Sequence, residues 1–393
     1  MKISEINKIC YVGAGTMGCA NAMMAALAGY EVVLYDIAKE SLAQVPSRLL
    51  EVTDYLQKNG YAEADNIALA MTRVTTSSSL EAALTGVDLV SESVLERLDV
   101  KHQVHDQLDH LCAPSVIVTT NTSNIPLSSI AEVVVHRERF AALHSHLGSP
   151  LIDIVGTTKT SAGTVDILTR YVESINCIPL VLKKENPGYV LNAMLGPVLT
   201  IAMILVIEGV ATIEEVDRAW MQHRRAAIGP FGMMDAFGIN IIADSWQQRE
   251  DDDDNLKAKI TGFLAPYMAA NTLGLKSSKG FYQYPDPVYQ QAEFFDTDKD
   301  LSFVHSSIVA VLISNAVTIA EKDVAEPQEI DRAWMAATHL DIGPFGIVDE
   351  LGSAETVALF EQLAGFGLLP PQAVTQLVNF LQSYTCDRGA PDE

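Results

Sequence analysis

Positive charge is scarce in this chain: 26 lysines and arginines stand against 50 aspartates and glutamates in 393 residues, a formal net charge of -24. That balance excludes a surface built to neutralise nucleic-acid phosphates or to settle on an anionic membrane. An anionic ligand needs a local basic pocket instead. Cysteine is also rare. Cys10, Cys19, Cys112, Cys177 and Cys386 fall at no C-x-x-C spacing, so neither a metal site nor a disulfide framework is expected, and the thiols fit a reduced, cytoplasmic setting. The opening MKISEINKIC lacks the apolar core and small-residue cleavage site of a signal peptide. The most apolar stretch, Pro197 to Val210, is too short to span a bilayer and reads as a buried helix. Two or three globular domains are expected at this length.

What is present begins at Ile9. The segment to Asp36 reads as a buried strand, a glycine turn, an apolar helix and a second strand ending in an acid. The turn Gly13-Ala14-Gly15-Thr16-Met17-Gly18 fits the G-x-G-x-x-G dinucleotide fingerprint. Gly13 allows the sharp turn, Gly15 lets the backbone approach a pyrophosphate, and Gly18 lets the helix pack on the strand. The helix N-terminus, with Thr16 and Met17, supplies free N–H donors. Asp36 stands where an acid accepts bonds from the adenine ribose, and no arginine follows it to hold a 2′-phosphate, which predicts NAD and not NADP.

The alternation continues. Strands are predicted at 73–76, 87–92, 116–120, 140–143 and 152–155, with helices at 40–59, 79–84, 96–111 and 125–133. This is an α/β Rossmann domain, a doubly wound and mostly parallel sheet, over residues 1–184. Ligands bind beyond the carboxyl ends of such strands, which singles out Glu92 and Glu96, Asn121-Thr122-Ser123 and His144-Ser145-His146. Each also has a plain reading, as a turn residue or a hydrogen-bonded structural histidine.

After Asn186-Pro187-Gly188 the chain reads as all helix. Asp217-Arg218-Ala219-Trp220-Met221, Ile228-Gly229-Pro230-Phe231-Gly232 and Asp235 recur at 331, 342 and 349, a constant offset of 114. This is a duplicated helical unit, predicted as two domains over 185–295 and 296–393. The acidic run from Glu250 to Asp254 lacks EF-hand spacing and reads as a solvated loop.

Taken in order, these motifs resemble the 3-hydroxyacyl-CoA dehydrogenases, including the 3-hydroxybutyryl-CoA enzymes. The resemblance rests on the glycine turn, Ser91 to Glu96 with Lys101, Asn121-Thr122-Ser123, and Arg139 to His144. It continues through Asn186 to Asn192, Ile228 to Phe231, and Lys279 to Tyr282. It implies a Rossmann domain followed by a helical domain that usually forms the dimer contact. It also implies that His144 is the base taking the hydroxyl proton, that Ser123 bonds the substrate oxygen, and that Asn192 is a second polar group at the reacting centre. Glu96, Lys101 and Asn121 resemble positions near the nicotinamide ribose. The implied ligands are NAD and a small molecule, an acyl-CoA, with no nucleic acid and no membrane. The duplication predicts either a monomer or a homodimer.

One departure bears on the chemistry. The family pattern continues His-Phe-Phe-Asn-Pro, with a glutamate twelve residues past the histidine to orient the imidazole. Here the segment is His144-Ser145-His146-Leu147-Gly148-Ser149-Pro150, Gly156 occupies the aligned position of the glutamate, so the expected dyad is incomplete, and Leu147 stands at the asparagine. Asp153, an odd step from 156 on a strand, is expected to face away. His146 is a candidate to share the role. Besides the acyl-CoA reaction, two readings stay open: dehydrogenation of another small hydroxy acid, and NAD binding without catalysis.

Overall fold

The computed structural model describes residues 6–388 apart from 59, 61, 147, 248 and 250–253. The predicted helix end at Asn59, Leu147 and most of the acidic run therefore lie outside the described residues. Eight strands form one sheet: β1 (Lys8–Val12), β2 (Glu31–Tyr35), β3 (Val74–Ser77), β4 (Leu89–Glu92), β5 (Ile117–Thr120), β6 (Phe140–Ser145), β7 (Leu151–Gly156) and β8 (Ile178–Leu182). Their order is β3-β2-β1-β4-β5-β6-β7-β8. Every neighbouring pair is parallel except the β6–β7 hairpin, which is antiparallel. The order reverses between β1 and β4, which puts the binding crevice at their carboxyl ends.

The central strands are apolar runs because helices cover both faces. Ile9, Leu34, Leu89 and Ile117 lie in a core with Ala22, Met23 and Ala26 of helix Thr16–Leu27 and Leu168 and Tyr171 of helix Ala162–Ser174. Truncating a buried leucine of this kind to alanine costs roughly 2–5 kcal/mol. The helix predicted over 40–59 divides at Gln44 into Lys39–Ala43 and Val45–Lys58, because Pro46 opens a new first turn, where its missing N–H costs nothing. The sheet also has a strand, β8, and a helix, Ala64–Met71, that the sequence reading did not place.

The chain divides into two compact units, the first comprising the residues up to Val190 with 323–329 and 336–338. Within it, Lys183 ties the later segment down: its N–H donates to the Val324 carbonyl at 2.9 Å and its ammonium pairs with Asp323 at 2.9 Å.

The second unit is helical, and both copies of the repeat fall within it. Each copy is built on the same cradle. Asp217 accepts N–H bonds from Phe231 and Gly232 at 2.8 and 2.9 Å, and Asp331 accepts them from Phe345 and Gly346 at the same distances. A Cβ at Gly229 or Gly343 would lie 2.5 Å from the Cα of Asp217 or Asp331, so only glycine closes the turn. Trp220 and Trp334, equivalent residues of the two copies, meet edge to face at 6.4 Å with both rings fully buried. The copies therefore bury their apolar faces against each other. Helix Ser302–Glu321 is, among the described residues, the one helix long and apolar enough to cross a membrane, but 67% of that stretch is buried inside the protein.

Candidate active site

At the carboxyl end of β1, Gly13 has φ +108°, and a Cβ there would lie 2.5 Å from the Ser93 carbonyl oxygen. A Cβ on Gly18 would meet the Gly13 carbonyl oxygen at 1.9 Å. These two glycines are required by the protein's own packing. Gly15 differs: its Cβ would meet no protein atom within 4 Å. The space beside it is left open at the start of helix Thr16–Leu27, which has no side-chain cap and no acid in its first turn. The N–H groups of Thr16, Met17 and Gly18 thus begin the helix without an intrahelical acceptor, the arrangement that receives a phosphate. Asp36 closes the other side, with Oδ2 accepting from Ala14 N–H at 2.9 Å and Oδ1 from Ala38 N–H at 2.8 Å. Each oxygen retains a second lone pair for a ribose hydroxyl.

Beyond β4 and β5 lies a buried ionic network. Glu92, fully buried, accepts from Lys101 at 2.7 Å, His105 at 3.0 Å, Thr120 at 2.6 Å and Val94 N–H at 2.7 Å. Burial opposes its charge, but the His105 hydrogen bond and the Lys101 ammonium outweigh it and hold its pKa down to about 2. Lys101, placed by resemblance near the nicotinamide ribose, is only 1% exposed and bridges Glu92 to Glu96, 3.2 Å away. Its ammonium is enclosed by these two carboxylates. Glu96 in turn accepts from Thr122 Oγ1 at 2.6 Å and from the N–H groups of Ser123 and Asn124 at 2.7 and 2.9 Å. That carboxylate fixes the loop carrying Ser123. Asn121 fixes the next strand, its Oδ1 accepting from Ser145 N–H at 2.8 Å and Oγ at 3.0 Å.

His144, nearly the last residue of β6, stands at the centre. Its Nε2 lies 2.9 Å from Ser123 Oγ and its Nδ1 lies 2.9 Å from Asp153 Oδ2. The expectation that Asp153 faces away is therefore overturned. Parity from Gly156 does not give the register: the antiparallel ladder pairs His144 with Asp153 and Ala141 with Gly156. Residues directly opposite share a face, so Asp153 sits beside the imidazole and position 156 belongs to the other side. The carboxylate arrives nine residues after the histidine because only residues 146–150 connect β6 to β7.

A carboxylate can only accept, so Nδ1 carries the proton and the Nε2 lone pair faces Ser123. Asp153 is completely buried, yet hydrogen bonds from His144 and His146 outweigh burial and keep its pKa below the usual range. Burial pushes His144 below its ordinary value, partly offset by the bond to Asp153, which leaves the imidazole neutral at neutral pH. His146 Nε2 donates to the same Asp153 oxygen at 2.9 Å. Among the described residues, His144, His146 and Asp153 are the one group with three potential metal-ligand atoms all within 4.8 Å. Two ring nitrogens at 2.9 Å from one oxygen are at hydrogen-bond distance, each with a proton between.

Tyr189 completes this group, with its ring 5.0 Å from His144 and its backbone left-handed at φ +51°. Asn186 steadies it by donating to its carbonyl at 2.7 Å. Sequence reading missed His105, Thr120 and Tyr189; an isolated histidine on an amphipathic helix carries no pattern that marks it. Asn192 belongs to the second unit, on the first turn of helix Leu191–Ile207, half-buried.

Two family profiles match the chain: "3-hydroxyacyl-CoA dehydrogenase, NAD binding domain" over residues 8–185, and "3-hydroxyacyl-CoA dehydrogenase, C-terminal domain" over 188–284 and 303–378. The chain belongs to the 3-hydroxyacyl-CoA dehydrogenase family. As a member it is an NAD-dependent dehydrogenase, and the open space at Gly15 fits that cofactor. The human mitochondrial hydroxyacyl-coenzyme A dehydrogenase is 30% identical over 290 residues, 71% of this chain and 91% of that protein. A 5-formyl-3-hydroxy-2-methylpyridine 4-carboxylate 5-dehydrogenase of Mesorhizobium japonicum is also 30% identical, over 286 residues, 71% of this chain and 91% of that one. The crystal structure of a 3-hydroxybutyryl-CoA dehydrogenase from Escherichia coli shares the fold at 21% identity, with a TM-score of 0.78 over 97% of this chain and 100% of that one.

Proposed function

We propose that this 3-hydroxyacyl-CoA dehydrogenase family member interconverts a 3-hydroxyacyl-CoA and a 3-ketoacyl-CoA, with His144 as the base. The observation that carries the reading is the continuous Ser123–His144–Asp153 chain at the carboxyl end of the sheet, each link 2.9 Å. NAD, when bound, supplies the hydride acceptor, held by Gly15, the first turn from Thr16 and Asp36. In alcohol oxidation the Ser123 hydroxyl turns its hydrogen from His144 Nε2 to the substrate oxygen, and the substrate hydroxyl proton passes to Nε2, the unprotonated ring nitrogen. Asp153 then stabilises the imidazolium formed and keeps the tautomer fixed. Ser123 donates its hydroxyl hydrogen to the oxygen that becomes a carbonyl, where developing charge makes such a donor most effective. In ketone reduction the same proton returns from His144 to the oxygen. The role that resemblance gives Asn192 is tested separately by Asn192→Ala.

The substrate is a small molecule, and relatives with a substrate that is not a thioester by name keep a free hydroxy acid as the competing reading. NADH oxidation with acetoacetyl-CoA, run beside free acetoacetate, separates them. The proposal predicts turnover on the thioester that His144→Ala abolishes while NADH still binds. Turnover on the free acid alone, or none on either with NADH bound, would overturn it.

A further inference from the structure

We propose that His146 is a positioning residue that acts on His144 through Asp153, holding the shared carboxylate in place and limiting how far its charge supports the His144 imidazolium. The inference rests on the proposed role of His144 as base. It starts from an unusual sharing of one atom: Asp153 Oδ2 accepts from His144 Nδ1 and from His146 Nε2, both at 2.9 Å. The other carboxylate oxygen, Oδ1, is buried without a partner. The whole hydrogen-bonding capacity that the carboxylate uses is thus divided between two imidazoles.

The rings lie edge to face with centroids 4.4 Å apart and an interplanar angle of 79°. His146 is positioned by strand parity: it lies two residues past His144 and so follows it on the same side of the hairpin, where a phenylalanine stands in the family pattern. A phenylalanine cannot donate to a carboxylate. In this chain the substitution adds a second donor to the one acid that orients the base.

The consequence follows from electrostatics. Hydrogen bonds to a carboxylate stabilise its charge and lower its capacity to stabilise another cation. A second donor on Oδ2 therefore makes the imidazolium of His144 less favourable than Asp153 alone would. The groups that face His144 are Asp153 from β7, His146 from the end of the hairpin, Glu96 and Ser123 from the loops after β4 and β5, and Tyr189 after β8. Asp153 and Glu96 favour the cation, while His146 and burial oppose it.

The test compares His146→Phe, which keeps a ring and removes the donor, with His146→Gln, which keeps a neutral N–H donor. NADH affinity reports whether each variant is folded, and His146→Leu replaces the phenylalanine variant if that one does not bind. In the alcohol-oxidation direction the neutral base is active, so the acid limb of kcat/KM marks the His144 titration. His146→Phe is expected to move that limb to higher pH by roughly 0.5–1 unit, with His146→Gln close to wild type. An unmoved limb in His146→Phe, or an equal shift in both variants, would overturn the proposal. Histidine ¹⁵N NMR titration of the same proteins reads His144 directly. If no thioester is turned over, the function reading fails on its own, and the NMR shift still decides the role of His146.

Discussion

His144 and Asp153 are opposite residues of the β6–β7 ladder, joined through Nδ1 and Oδ2 at 2.9 Å, so the carboxylate beside the proposed base is supplied by the neighbouring strand three positions before Gly156. This relation gives His144 a carboxylate partner despite the glycine at 156. It also decides what a mutation at 156 does.

Gly156→Glu, which restores the family glutamate by position, is expected to give no gain in kcat. The new Cβ would lie 3.0 Å from the Thr160 Cβ. Thr160 Oγ1 donates to the Phe140 carbonyl at 2.6 Å and accepts from Thr157 N–H at 2.8 Å, so it has little room to yield. A stability loss of about 1–3 kcal/mol is predicted from overpacking. Urea unfolding and steady-state kinetics check both, and a raised kcat would contradict the register argument.

The glycines of the turn separate packing from ligand approach. Gly15→Val should fold with little change in Tm, because a Cβ placed there meets no protein atom within 4 Å. NADH affinity should fall by more than about tenfold, the equivalent of roughly 1.4 kcal/mol. Gly18→Val should lose stability instead, since its Cβ would sit 1.9 Å from the Gly13 carbonyl oxygen. Fluorescence titration with NADH and thermal melts distinguish the two; equal effects at both positions would refute the assignment.

Much of this was legible in the sequence, for identifiable reasons. The glycine turn and Asp36 are local, and a turn of that kind has few structural solutions. The repeat at 217 and 331 was readable because each aspartate is tied to its own Gly-Pro-Phe turn within the copy. The partner of His144 was not readable by parity, since hairpin register depends on connection length and a gap of three residues changes the opposite residue. The Glu92–Lys101–His105 network was illegible for a related reason: which polar groups meet inside a sheet depends on the packing of helix Leu98–Leu111 against β4, not on spacing within either.

The internal pairing of the helical repeats predicts a monomer. Trp220 and Trp334 already cover each other within one chain. Sedimentation equilibrium is expected to give a mass near 42.6 kDa over the micromolar range. A concentration-independent mass of twice that value would contradict it.

Acid should destabilise the second unit through His305. Burial lowers its pKa from 6.5 to about 3, with Arg224 and His223 adding to the effect, and its ring stacks on His223 at 4.4 Å. The folded value lies below the unfolded one, so between about 6.5 and 3 the unfolded chain takes a proton that the folded chain refuses, and stability falls as pH falls. His305→Leu should remove that part of the slope. Comparing urea unfolding at pH 7 and pH 4.5, the variant should lose about 2 kcal/mol less than wild type. An equal loss in both proteins would show that His305 contributes nothing to it.

The most direct test of the central claim is a double-mutant cycle on His144 and Asp153, read as kcat with NADH binding as the control for folding. If Asp153 orients the base, Asp153→Asn should lower kcat by about 100- to 10,000-fold. The double variant should then be scarcely worse than His144→Ala alone, because two residues acting as a unit do not add. Retention of more than about a tenth of the activity in Asp153→Asn, or losses that multiply in the double variant, would mean that the base works without this carboxylate and that the account is wrong.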